Sequence, residues 1–121
     1  MLAHAEVYHL YDSKYRKTSP NGEGKISFTC ISQYGEPEDR NDPEHIAAAD
    51  RYLQFYIGWF YHPIFSEQGD YPKVMREYID KRSDSEKSRL PKFTPEEIER
   101  IKGTADFMGV QHRDVLISNI S

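Results

Sequence analysis

A chain of 121 residues with 37% apolar and 30% charged side chains has the length of one domain and the apolar content for a thin core. Its net charge of −4, from 16 basic and 20 acidic residues, argues against general nucleic-acid binding, which needs a basic footprint. No apolar run approaches the roughly 18 residues of a membrane span, and the single cysteine, Cys30, excludes an internal disulfide or a thiolate metal cluster.

Residues 3 to 16 place Val7, Leu10, Tyr11 and Tyr15 at helical spacing, with Glu6, Asp12 and Lys14 elsewhere. They predict an amphipathic helix that opens without a cap. The opening MLAHAEVYHLYD lacks the charged-then-apolar plan of a signal peptide and reads as folded sequence. His9 falls on the polar side of this helix and is expected in solvent. The run 19–24, SPNGEG, is a turn by composition. It feeds residues 25–31, KISFTCI, which are β-branched and aromatic and predict a strand.

Residues 33–42 (QYGEPEDRND) form a polar loop. Asp42 then reads as an N-cap, with Pro43 at the first helical position, where a missing N–H costs nothing. The helix it opens carries Ile46, Ala49, Leu53, Tyr56, Ile57 and Phe60 on one broad face. It is expected to end near Tyr61, because Pro63 disfavours helical geometry at His62. His45, in the first turn, is expected to be solvated.

Residues 58–72, GWFYHPIFSEQGDYP, crowd aromatic side chains among prolines and glycines that prevent one regular element. Residues 73–81 predict a short helix, and 80–89 (DKRSDSEKSR) a solvated loop or frayed helix end. Thr94-Pro95-Glu96-Glu97 is a capping box that opens another helix, closed by Gly103. Residues 106–110 (DFMGV) predict a second, short, buried strand. The order helix, strand, long helical crossover, strand implies an α/β protein with parallel strands. Two such strands leave edges in need of partners, so the elements read as part of a larger α/β fold.

These stretches carry a family resemblance. GWF-x-x-PIF followed by GDYP resembles the corresponding stretch of glycoside hydrolase family 1, the β-glucosidase, lactase and myrosinase group. HAEVYHLYDSKYR is similar to the helix after the family's fourth strand, and GKISFTCISQYGEP to its fifth strand and following loop. LPKFTPEEIERIKGTADFMGV resembles the capped helix and sixth strand. The resemblance implies a partial (β/α)8 TIM barrel, roughly helix 4, strand 5, helix 5 and strand 6, over residues 1–110, with 111–121 a divergent tail. It also implies that the aromatic stretch packs against neighbouring barrel helices and the crossover, because the closing end of a barrel helix points away from the active-site face.

The family implies a retaining glycosidase that acts on β-glycosides without metal or organic cofactor. Two carboxyls roughly 5–5.5 Å apart serve as acid/base and nucleophile. In the family these lie in an Asn-Glu-Pro motif after strand four and a Glu-Asn-Gly motif after strand seven. Neither motif occurs in these residues, so no catalytic residue is assigned, and the chain alone is expected to be inert. Gly35-Glu36-Pro37 imitates the first motif, but it follows strand five, where Glu36 reads as a loop residue.

On the substrate side, the resemblance places Gln33 and Tyr34 where the end of strand five presents an Asn and an aromatic toward the aglycone. Gln111-His112-Arg113 stands where the family usually reads Asn-x-Tyr at the end of strand six. Arg113 would set a cation beside the nucleophile and lower its pKa. The five His show no metal-ligand spacing, and Gly22-x-Gly24 precedes a strand rather than following one, so it is no phosphate loop. A second class of function is a short binding or assembly module that self-associates through an exposed aromatic helix face.

Overall fold

A computed structural model describes residues 1–18, 20, 24–83 and 88–113 of the chain. The first helix, α1 (Leu2–Leu10), continues through a widened turn at Tyr11–Tyr15 into a tight turn at Arg16–Thr18. As expected, no side chain caps its start. Its buried residue is Ala5, whereas Val7, Leu10 and Tyr15 of the predicted apolar stripe are exposed. The predicted stripe is not the packing face: the side of α1 that packs is the one carrying His4, Ala5 and His9.

Those side chains dock α1 on the later helix α5 (Pro95–Ile101). His4 Nε2 lies 2.6 Å from the Thr104 carbonyl, and His9 Nε2 2.8 Å from the Arg100 carbonyl. Arg100 Nη2 also donates to Glu6 at 2.7 Å. His9 is therefore engaged rather than free in solvent. His45 likewise accepts a hydrogen bond from the Asp39 N–H at 3.1 Å.

Strand β1 (Thr29–Gln33) and strand β2 (Gly109–Arg113) pair in parallel, with Thr29 opposite Gly109 and Gln33 opposite Arg113. The parallel pairing matches the expectation, but both strands lie further along the chain than predicted. Residues 25–28 are outside the ladder, which begins where Gly109 comes alongside Thr29, although the Ile26 carbonyl already accepts from the Asp106 N–H at 2.9 Å. β2 crosses position 110 and takes in Gln111, His112 and Arg113. The remainder of the tail, 114–121, and most of the predicted 19–24 turn lie outside the described residues, as do 84–87 of the charged run.

The crossover opens at Asp42, whose carboxylate accepts from the Glu44 N–H at 2.8 Å. Helix α2 (Pro43–Leu53) is followed by a widened turn at Gln54–Gly58 and then α3 (Trp59–Phe65). The helical run thus does not stop near Tyr61, and Pro63 sits inside α3. A proline removes one rung of a helix, and widened turns and prolines are the usual places where helices bend to accommodate such a loss. The end falls instead at Ser66, whose backbone is extended.

Helix α4 (Lys73–Asp80) matches its prediction to within a residue. α5 is capped as expected: Thr94 Oγ1 accepts from Glu97 N, while Glu97 returns a bond to Thr94 N. Gly103, at φ 73°, makes the left-handed turn that ends it. Replacing Thr94 with Ala should lower the unfolding free energy by about 1 kcal/mol, and Thr94→Ser should keep most of it. Denaturant midpoints at unchanged slope would check this; equal loss in both variants contradicts the capping role.

The core sits where α1, α3 and α5 meet. Ala5, Ile64 and Ile101 are fully buried there, with Phe28, Phe93 and Ala105 packed around them.

Candidate functional site at the strand ends

Strand alternation puts Thr29, Ile31 and Gln33 of β1 on one face with Gly109 and Gln111 of β2. Ile31 and Gln111 on this face are exposed, whereas Ser32 on the other is buried. The face with Ile31 and Gln111 is therefore open, and on the other face the helices cover Ser32 of β1 while Val110 and His112 of β2 stay exposed. Of the candidate residues, Gln33 and Arg113 close the two strands, Tyr34 follows β1 by one residue, and Gln111 stands at the middle of β2.

They are brought together at different levels. Gln33 and Arg113 are register partners at the very end, and Gln111 pairs one step back with Ile31. Tyr34 follows β1 and is 54% exposed. The Gln33 amide oxygen is turned to the crossover helix, where it accepts from the Tyr52 hydroxyl at 2.8 Å. Sequence reasoning missed Tyr52, since nothing in a helix pattern tells which strand residue a tyrosine hydroxyl will meet.

Glu36, the imitation acid, is exposed on the loop after β1 and pairs with Arg40 four residues on. That is a surface ion pair, without the burial that would keep a carboxyl protonated for acid catalysis. Among the described residues no group of three or more His, Cys, Asp or Glu is placed to hold a metal ion.

The aromatic stretch proves to be the fastening behind the site. Tyr61 on α3 is buried, stacks on Phe28 with ring centres 5.0 Å apart, and reaches the sheet. Its hydroxyl accepts from the Cys30 N–H at 3.0 Å and donates to the Gly109 carbonyl, so one side chain ties β1 to β2. Burial pushes the Tyr61 hydroxyl and the Cys30 thiol up from their ordinary values. Tyr61 thus packs on the strands. Trp59 and Phe65 remain 40% and 43% exposed.

The GDYP motif is also structural. Asp70 pairs with Arg76 at 3.1 Å, and the same guanidinium donates to the Pro91 carbonyl at 3.2 Å. The Asp70 carbonyl lies 2.7 Å from His62 Nδ1, and Tyr71 stacks on Phe93 at 4.7 Å. These contacts join the end of α3, the start of α4 and the approach to α5.

A parallel strand pair joined by a helical crossover, with polar residues at the C-terminal strand ends, is the repeating unit of α/β proteins, barrels among them. The glycosyl hydrolase family 1 profile matches residues 1–119, and the chain belongs to that family. It is 49% identical over 119 residues to lactase/phlorizin hydrolase of Rattus norvegicus, covering 96% of this chain and 6% of that protein. It is 38% identical to myrosinase 1 of Brevicoryne brassicae, covering 93% of this chain and 24% of that enzyme.

Among solved structures, an aphid myrosinase superposes with a TM-score of 0.82 at 37% identity, over 93% of this chain and 24% of the other. A Humicola insolens family 1 β-glucosidase in complex with glucose superposes at 0.75 and 38% identity, over 92% and 21%. The chain thus spans between 6% and 24% of the length of these relatives. Its strand–helix–strand unit fits part of their (β/α)8 barrel. Among the described residues no helix is long and apolar enough to cross a membrane.

Proposed function

We propose that these residues are a segment of a retaining β-glycosidase, comprising the fourth helix, fifth strand, fifth helix and sixth strand of its barrel. The observation that carries this reading is the in-register parallel pair, which sets Gln33 beside Arg113 at the C-terminal ends. In a (β/α)8 barrel that is the end where the active site is built. Gln33, Tyr34, Gln111 and Arg113 are then substrate-side residues, and the two catalytic carboxylates come from outside the segment. The substrate class is a β-linked glucoside or related glycoside, cleaved with retention and without metal or organic cofactor.

Sequencing the complete transcript and assaying its product tests the reading. An Asn-Glu-Pro motif upstream, a Glu-Asn-Gly motif downstream and β-glucoside turnover by the product are expected. The 121 residues expressed alone should give background in the same assay, because neither carboxylate is present. Turnover by the isolated segment that is lost in Glu36→Gln would overturn the proposal.

A second reading has its own observation. Val7, Leu10 and Tyr15 on the first helical stretch and Ile31 on the open sheet face are all exposed, which suits an assembly module that pairs with a second copy. Concentration-dependent sedimentation with cooperative melting would favour it. A monomer that melts without cooperativity would remove it.

A further inference from the structure

We propose that Tyr52 is a positioning residue. It fixes the end of β1 and makes the Gln33 amide a one-way hydrogen-bond donor toward a hydroxylated leaving group. This rests on reading the segment as part of a β-glycosidase, and it adds a residue from the outer helix to the substrate side of the site.

The case starts from two independent contacts of one side chain. The Tyr52 hydroxyl donates to Gln33 Oε1 at 2.8 Å. Its ring lies over Gly35, where an added Cβ would come within 3.2 Å of Tyr52 Cδ1. Gly35 is buried, and the close approach is possible because that position has no side chain. The Tyr56 ring, 5.4 Å from the Tyr52 ring, stands against it one turn along the helix. Three consecutive residues of the β1 end are thereby held from one point: Gln33 by its amide, Gly35 by its backbone, and Tyr34 between them.

The chemistry follows from what the clasp leaves over. A glutamine amide carries one acceptor oxygen and two N–H donors. With Oε1 taken by Tyr52, the amide presents donors only, and among the described residues no protein acceptor meets Gln33 Nε2. The partner it fits is therefore an acceptor oxygen, such as a sugar hydroxyl. Beside it the Tyr34 ring is 54% exposed, a flat face of the kind that stacks on a sugar ring. A donor amide next to an open aromatic face favours a glycoside whose leaving group is itself a sugar over one whose leaving group is small and bare.

Two substitutions separate positioning from mere packing. Tyr52→Phe keeps the ring on Gly35 and releases the amide. Gln33→Glu keeps an acceptor for Tyr52 and removes the donors. Both are made in the complete product of the transcript, and the readout is the ratio of kcat/KM for cellobiose to kcat/KM for methyl β-glucoside.

The ratio is expected to fall about tenfold in each variant, carried by KM, as for loss of one oriented hydrogen bond worth about 1.4 kcal/mol. If wild type is active and Gln33→Glu leaves the ratio unchanged, the proposal fails and the glycosidase reading stands. It fails in the same way if Tyr52→Phe lowers both substrates equally, because Tyr52 then acts through stability alone. Should Tyr52→Phe not fold, Gln33→Glu still decides, since it retains the Tyr52 contact. A wild-type product that neither hydrolyses these glycosides nor binds them by calorimetry removes both readings together.

Discussion

Asp106→Ala is expected to be the most damaging single polar substitution in this segment. Asp106 sits between three elements. Its carboxylate takes two bonds from Arg16 Nη2, at 3.0 and 2.9 Å, and one from the Ile26 backbone N–H at 2.7 Å. The Tyr8 hydroxyl adds a longer one at 3.3 Å. Arg16 in turn donates to the Gly24 carbonyl at 2.9 Å, and its guanidinium lies 5.2 Å from the centre of the Tyr11 ring. Alanine removes the acceptor of all four bonds to the carboxylate at once, and the orphaned Ile26 N–H alone costs about 1–3 kcal/mol. Asp106→Asn, which keeps an acceptor for Ile26 but loses the charge, should fall between alanine and wild type.

The same group sets a pH signature. Burial raises the Asp106 carboxyl, but the Ile26 N–H and the Arg16 guanidinium outweigh it and hold the carboxyl below its ordinary value. A carboxylate depressed in the folded state contributes stability that is fully present above its unfolded pKa, about 3.9. That contribution is lost as pH falls through the lower folded value. Unfolding free energy should therefore decline from about pH 4 downward, and less steeply in Asp106→Asn. Parallel wild-type and Asn curves across that window would show that Asp106 is not the group responsible.

Ile64→Ala is the apolar counterpart, with an expected loss of about 3 kcal/mol. Ile64 is 1% exposed and packs against Ala5 of α1 and Ile101 of α5, so truncation opens a cavity where three helices meet. Its backbone carbonyl also accepts from the Gly103 N–H at 2.8 Å, which limits how far α3 can move to close that cavity. Phe65→Ala, one residue on at 43% exposed, should cost clearly less. Denaturant midpoints of the two variants make the comparison, and equal losses would mean that Ile64 is not at the centre of the core.

Local features were the ones that could be read from letters. The capping box at Thr94, the Asp42 cap with Pro43 and the closing Gly103 were legible because each rests on a hydrogen bond or dihedral within four residues. The parallel strand order was legible because a helical crossover between strands allows little else. Family motifs pointed to part of a (β/α)8 barrel, and the proposal of the substrate-side positions rests on them. The motif aspartate of KGTADFMG could be recognised as a pattern, but its partners Arg16 and Ile26 lie 90 and 80 residues away.

The sequence by itself determined the local elements, the family and the absence of both catalytic Glu motifs from these residues. Each depends on short-range backbone chemistry or on a run of letters. Only the tertiary structure decided where each strand begins, which face of α1 packs, that Pro63 lies inside a helix, and that Tyr61 and Tyr52 fasten the strand ends. A ladder begins where a second strand arrives, and a helix buries the side that meets a neighbour. A hydroxyl finds its acceptor across many residues of chain. Those outcomes are set by which surfaces come together in space, and local periodicity holds no record of that.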